Sequence, residues 1–231
     1  MDIEICMKND ACVIMFVRSP EKGTVKTRLS AGLDEQVVLE LYRCFVLDLV
    51  RTLSRGPFAL HICFHPPGSE TQIRQWLGEG HTYSAQKGND LGERMEAAFL
   101  EAFAQGFREV LLMGSDSPDI TVELLEEALG SLKSNHAVIG PALDGGYYLV
   151  GFNAGCLLHD VFAGMDWGTA GVHERTMQVF TEHGYDVHVL PVWRDIDTCD
   201  DIRAFMREHR ETPLGTLRTL DYLREHMERM T

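Results

Sequence analysis

Residues 11–17 read ACVIMFV, apolar at every position and rich in β-branched and bulky side chains. A run this short suits a strand buried on both faces, as inside a parallel sheet covered by helices. A loop with Gly, Pro and Lys follows over 19–27, and then a long amphipathic stretch. Asp34 is placed to cap a helix to about Ser54, with Val38, Leu41, Phe45, Leu49 and Leu53 on one face. Tyr42, Val46 and Val50 widen that face, and so broad a stripe packs on a sheet.

The same alternation recurs along the chain. Strands are expected at 58–64, weakly at 81–86, then at 109–113, 137–140, 147–152 and 186–192. Helices are expected at 71–77, from an Asp90 cap to about Gln105, from a Thr121 cap through Leu132, and at 172–183. Two more are expected, one from a Thr198 capping box to His209 and an amphipathic one that follows Pro213 and runs to about Met230. No internal repeat, low-complexity tract or linker interrupts the 231 residues, so one domain is expected over 1–231, with 213–231 its terminal helix. Strands alternating with helices imply an α/β fold, a mainly parallel sheet with helices on both faces. Ligands of such sheets bind at the carboxyl ends of the strands, which makes the residues just after each strand the informative ones.

Thirty-five acids against 21 bases leave a net charge of −14, which argues against a nucleic-acid polymer as partner. A small anion requires cations gathered in one place. Hydrophobic residues at 45% and charged residues at 24% are globular values and exclude disordered, collagenous and coiled-coil classes. The six cysteines form no C-x-x-C pair and read as small thiols in a reducing compartment. The first residues, MDIEICMKND, lack the pattern of a signal peptide, and no apolar stretch approaches the roughly 20 residues that span a bilayer. The expectation is a soluble cytoplasmic protein without a membrane partner.

The cations gather directly after the first strand. RSPEKGTVKTR, residues 18–28, holds four of the 21 bases in 11 positions, about four times the chain's average density. Arg18, Lys22, Lys26 and Arg28 suit phosphate oxygens, Arg as a bidentate fork and Lys as a point charge, and Gly23 lets backbone approach closely. The other reading is a solvated basic loop. It is neither a Walker A loop nor a Rossmann G-x-G-x-x-G.

After the 109–113 strand comes GSDSPD. Asp116, nearest the strand end, is the candidate ligand for a hard cation such as Mg²⁺, which takes one or two carboxylates plus substrate phosphates. Asp119 reads as a turn residue before a helix. PALDGGYY at 141–148 is either a D-G hairpin turn or a loop whose N–H groups face a ligand, with Asp144, Gly145, Gly146 and Tyr147 the residues concerned. MDWGT at 165–169 offers Trp167 and Thr169 as a substrate platform or as a buried aromatic and its loop. Asp195 and Asp197 alternate on an extended segment and so share a face. His61 and His65 flank Cys63 without further metal-ligand spacing, and no G-x-S-x-G or H-E-x-x-H motif marks a covalent nucleophile or a zinc site.

Six blocks in order, FVRSPEKGTVKTRLS, QKGNDLGERMEAAF, LLMGSDSPDIT, VIGPALDGGYYLVGF, DWGT and DIDTCDDI, resemble bacterial glycosyltransferase-like proteins of the nucleotide-diphospho-sugar transferase superfamily. The resemblance covers about residues 11–205 and extends remotely to 2-phospho-lactate and molybdenum-cofactor guanylyltransferases. It implies a GT-A-like sheet, a nucleotide bound over its N-terminal half, and Mg²⁺ or Mn²⁺. By match to the family, Arg18, Lys22, Lys26 and Arg28 meet phosphates, and Gln86, Gly88, Asp90 and Leu91 meet the base. Asp116 and Asp197 hold the metal, and Asp144, Gly145, Gly146 and Tyr147 face the acceptor.

Two acids about 6.6 Å apart along a strand are not both direct ligands of one small ion. Asp195 is therefore expected to orient a lysine, an arginine or a water beside Asp197. The L-x-x-G-x-G-x-R loop of many sugar nucleotidyltransferases is absent, its place taken by RSPEKGTVKTR. The expected protein is a metal-dependent glycosyltransferase in which Lys26, Arg28 and Asp116 are catalytic. The alternatives are a guanylyl- or cytidylyltransferase releasing pyrophosphate, and a nucleotide-binding module without turnover. The terminal amphipathic stretch 214–230 leaves two packing partners open, the domain itself or a second subunit of a homo-oligomer.

Overall fold

A computed structural model describes residues 10–227. One seven-stranded sheet runs through them in the order β3-β2-β1-β4-β6-β5-β7. Its strands are β1 (Ala11–Arg18), β2 (Ala59–His65), β3 (Thr82–Ala85), β4 (Glu109–Met113), β5 (Ala137–Pro141), β6 (Tyr147–Asn153) and β7 (Val187–Val189). Only β6 runs antiparallel to its neighbours β4 and β5; the other pairings are parallel. Hence the carboxyl ends of β1, β2 and β4 and the first residues of β6 meet at one edge, with Arg18 opposite His65 and Met113 opposite Leu149.

The alternation within β1 sorts the core. Val13, Met15 and Val17 face α1 (Glu35–Leu53), α2 (Glu70–Leu77) and α4 (Val122–Ser131), through Leu49, Ile73 and Leu125 among others. Cys12 and Ile14 face α3 (Leu91–Ala104) and α5 (Val172–Glu182), through Phe99 and Phe180. Helices thus cover both faces, as the unbroken apolar run requires. The expected caps form: Asp34 accepts from Gln36 N, Asp90 from Glu93 N and Thr121 from Leu124 N. Thr198 and Asp201 close a reciprocal capping box on α6 (Cys199–Glu208).

Two segments differ from the sequence expectation. The 186–192 strand shortens to β7, because Pro191 has no N–H to continue the ladder; Leu190 and Trp193 still donate to Ile139 and Pro141. The last helix, α7 (Arg218–Met227), starts four residues late, after a turn through Gly215 at φ +78°. Its first turn is capped from another helix: buried Asp48 of α1 accepts from Arg218 N and Thr219 N at 2.9 and 2.8 Å. Leu220 and Leu223 of α7 pack with Leu41 and Phe45 of α1 and Phe205 of α6. Of the two packing partners open for the terminal stretch, its own domain is the one this apolar face covers. Residues 228–231, the end of the expected helix, and the first nine residues with Cys6 lie outside the described residues. The other five cysteines are free. Among the described residues no helix is long and apolar enough to cross a membrane.

Candidate active site

A cleft of about 610 Å³ opens at the carboxyl edge of the sheet, between β1 and β4 on one side and the 142–146 turn and 167–172 loop on the other. Its floor is fixed by Tyr42 of α1, whose hydroxyl accepts from Arg18 N at 2.8 Å, donates to Arg18 O at 3.2 Å and lies 3.4 Å from Ser115 Oγ. Burial is the main reason that this phenol is pushed up to about 12.

From Arg18 the basic loop curls over the floor. The Arg18 guanidinium donates to Thr24 O, and buried Val25 and Leu29 pin the loop to the core. Lys26, between those anchors, has a φ of +48°, the one positive φ at a non-glycine among the described residues. Its side chain is 4% exposed, and its Nζ lies 2.7 Å from Asp116 Oδ1 and 2.8 Å from Asp197 Oδ1. Burial pulls the ammonium's pKa down, but the two carboxylates more than offset it and hold it above the ordinary lysine value. Burial also disfavours the Asp197 carboxylate, yet Lys26 and Arg28 keep its pKa below the usual range. Arg28, 61% exposed, reaches Asp197 Oδ2 at 3.4 Å.

Asp195 does not join this pair. Its Oδ1 accepts a 2.6 Å hydrogen bond from Ser117, and burial pushes its carboxyl up to about 7 despite that bond. Ile196 N donates to Asp116 O, tying the 195–197 segment to the loop after β4. Asp119 accepts from Trp193 Nε1 and His209 Nε2 behind the cleft, so it joins α6 to the sheet as well as turning the chain.

On the opposite wall the 142–146 turn is a hairpin between β5 and β6, the plainer of the two readings of its D-G sequence. Gly146 N donates to Asp144 Oδ1, and both residues still line the cleft. Tyr147, half-buried, and Trp167 meet edge to face at 6.3 Å, with Leu91 and Val172 beside them. Thr169 lines the cleft and donates to Asp166 O. Gln86 is held by backbone on both sides, its Nε2 donating to Cys63 O and its N–H to Phe64 O.

Arg18, Lys26, Arg28, Gln86, Leu91, Asp116, Asp144, Gly146, Tyr147, Trp167, Thr169 and Asp197 therefore share one cleft. Lys22, Gly23, Gly88, Asp90 and Gly145 do not line it. Lys22 points to Glu35 at 3.9 Å in solvent, and Gly23 only shapes the loop, at φ +76°. Gly88 sits against Glu93 and Asp90 caps α3, so both act on that helix. A Cβ at Gly145 would stand 2.1 Å from Ala170 O; this glycine lets the 142–146 turn and the 167–172 loop touch.

Tyr42, Arg94, Ser115 and Ser117 belong to the site and were not singled out by the sequence reading. Tyr42 is hidden in the apolar stripe of α1. Arg94 carried a signal: a cation in the first turn of a helix opposes the dipole and calls for another reason to be there. It lines the cleft and is held by Gly88 O.

Residues 48–169 match the family described as an uncharacterized protein conserved in bacteria, DUF2064. The chain belongs to the DUF2064 family. No curated protein matches its sequence. This DUF2064 chain superposes with a TM-score of 0.91 on a protein from Desulfovibrio desulfuricans G20, provisionally described as a nucleotide-diphospho-sugar transferase. The two are 40% identical over 95% of this chain and 96% of the other. It is also similar to 4-diphosphocytidyl-2C-methyl-D-erythritol synthase from Anaerococcus prevotii DSM 20548, with a TM-score of 0.55, 14% identity and 87% and 97% of the two chains covered. A cytidylyltransferase from Leptospira borgpetersenii gives 0.53, 13%, 96% and 95%. At these identities the last two share only the fold, which is that of the nucleotide-diphospho-sugar transferases.

Proposed function

We propose that this protein is a divalent-cation-dependent transferase that binds a nucleotide-diphospho-sugar and passes its glycosyl group to an acceptor. The observation that carries the reading is that Lys26 bridges Asp116 and Asp197, Arg28 reaches Asp197, and Arg18 lines the same cleft at the strand ends. A cation already stands where the two carboxylates meet, the Lys26 ammonium, so the oxygens are placed for a hard ion of that charge sign. One or two carboxylates are what Mg²⁺ takes when substrate phosphates complete its shell. Asp116 and Asp197 fit Mg²⁺ or Mn²⁺ on these grounds; bound there, the ion would neutralise phosphate charge.

The remaining work falls to the chain. Arg18, Lys26 and Arg28 bind and orient the phosphates and stabilise charge on the departing diphosphate. Gln86, fixed by backbone, and Leu91 border the base. Asp144, Gly146, Tyr147, Trp167 and Thr169 border the acceptor, with the Tyr147–Trp167 pair as a stacking wall for a sugar ring.

A panel of nucleotides and nucleotide sugars with product analysis tests the reading. Release of nucleoside diphosphate supports glycosyl transfer. Release of pyrophosphate from a nucleoside triphosphate replaces it with nucleotidyl transfer. Binding without turnover reduces the protein to a nucleotide-binding module.

A further inference from the structure

Lys26 stands in an unusual place for a phosphate-binding residue. Its ammonium is buried and spends its hydrogen bonds on Asp116 and Asp197. The ring of Phe45 closes it in at 5.8 Å. A φ of +48° is costly for a side chain with a Cβ and persists only where the surroundings impose it. Here Val25 and Leu29, both buried, anchor the chain on either side of it.

An ion ligated by both Oδ1 atoms, at the roughly 2.1 Å of Mg²⁺, would compete for the same two oxygens that Nζ contacts at 2.7 and 2.8 Å. Like charges sharing two acceptor oxygens repel, so ion and ammonium compete for this pair.

Charge decides when the exchange can happen. Two carboxylates, one ammonium and the Arg28 guanidinium cancel. A free divalent ion would leave the site two charges positive and strand a desolvated ammonium without a counter-ion, which is strongly unfavourable. A polyphosphate arriving with the ion supplies compensating negative charge and gives the ammonium new acceptors. The four-carbon stem lets Nζ move while the backbone stays pinned.

We propose that Lys26 is a tethered stand-in for the divalent ion, so that the Asp116–Asp197 pair takes an ion only together with a polyphosphate, which draws the ammonium onto its own oxygens. This rests on Asp116 and Asp197 being the ion's ligands.

The test is equilibrium dialysis of Mn²⁺ against the full chain, with and without methylenediphosphonate, a base-free and non-hydrolysable polyphosphate. Wild type should bind Mn²⁺ at least tenfold more tightly when the diphosphonate is present. Lys26→Met should bind Mn²⁺ alone at least tenfold more tightly than wild type, and adding Asp116→Asn should abolish that gain. Mn²⁺ affinity of Lys26→Met no higher than wild type, or wild-type affinity indifferent to the diphosphonate, overturns the proposal. If the Met variant does not fold, the wild-type comparison and Lys26→Gln decide in its place. If neither protein binds Mn²⁺ under either condition, the assignment of Asp116 and Asp197 as ligands fails, an outcome distinct from tight binding that ignores Lys26.

Discussion

Ser117 Oγ lies 2.6 Å from Asp195 Oδ1, while two residues further on Asp197 is taken by Lys26. The alternating acids both face the cleft, as an extended segment dictates, but they have different partners. Asp197 is held ionised by cations; Asp195 is held by a hydroxyl and sits in a site that favours its neutral form. Asp195→Asn keeps an oxygen for Ser117 and removes the charge. Turnover should fall about 10–100-fold, the usual effect of disturbing an outer-shell group, here the one that holds Ser117 in the loop carrying Asp116. Nucleotide affinity, measured by calorimetry, should change less than about threefold, because the phosphate contacts remain. An affinity loss as large as the rate loss would make Asp195 a direct ligand.

Asp116→Asn should abolish metal-dependent nucleotide binding and leave the fold intact. The side chain is 44% exposed and its carboxylate pairs with Lys26, so little packing is lost. Calorimetric titration with and without Mg²⁺ checks it. Unchanged affinity and unchanged metal dependence would remove Asp116 from the ion site.

Lys26 and Arg28 differ in burial, and salt should separate them. Arg28→Ala should weaken nucleoside diphosphate binding about tenfold at low salt and much less at high salt, because an exposed guanidinium is screened. Lys26→Ala should cost more at every salt concentration, since its ammonium is buried. Neither change should alter binding of the free nucleoside. Equal losses for nucleoside and diphosphate would contradict contact with phosphate.

Much of this was legible beforehand because strand and helix periodicity survives tertiary context. The apolar run became β1, Asp34, Asp90, Thr121 and Thr198 became caps, and the residues after β1 and β4 became the cleft. Charge density singled out Lys26 and Arg28 but could not separate them from Lys22, whose direction depends on the course of the loop. Glycine-rich turns were equally ambiguous. Gly145 makes room for Ala170, a contact between segments 25 residues apart that no local rule encodes. Tyr42 escaped notice for the opposite reason: its spacing fits the core stripe, and only the fold brings its hydroxyl to Arg18.

His61 gives stability a pH dependence of known sign. It is buried on β2, its Nε2 paired with Ser84 Oγ at 2.9 Å and its Nδ1 without a partner. Burial pulls its pKa below the ordinary 6.5. Well above pH 6.5 neither folded nor unfolded chain protonates this ring. As pH falls, the unfolded chain takes a proton that the folded one refuses, and stability is lost until the folded value is passed. Urea unfolding of His61→Gln should show a shallower decline than wild type between about pH 6.5 and 5. Some slope should remain, because His65, His81 and His173 are also pulled down by burial. Parallel curves for the two proteins would mean that His61 titrates alike in both states.

The junction of α1 and α7 should respond to Asp48 without touching the cleft. Asp48 is 1% exposed, and its two oxygens accept from Arg218 N and Thr219 N, donors at the start of α7 that have no partner within that helix. Asp48→Ala removes both acceptors and leaves two N–H groups facing an apolar side chain. The loss of a cap costs about 0.5–2 kcal/mol, and the burial of the Thr219 N–H places this one at the upper end. Asp48→Asn retains one oxygen and should recover roughly half of the loss. Urea unfolding measures both, and amide exchange at Thr219 and Leu220 should quicken in the Ala variant before the sheet amides do, as α7 frays first. Of α1 only Tyr42, six residues before Asp48, lines the cleft, and no α7 residue does, so binding of metal and nucleotide should be unchanged in protein that remains folded. Equal acceleration of α7 and β1 amides would show that α7 unfolds only with the sheet, and the cap would then contribute to global stability instead of holding one helix.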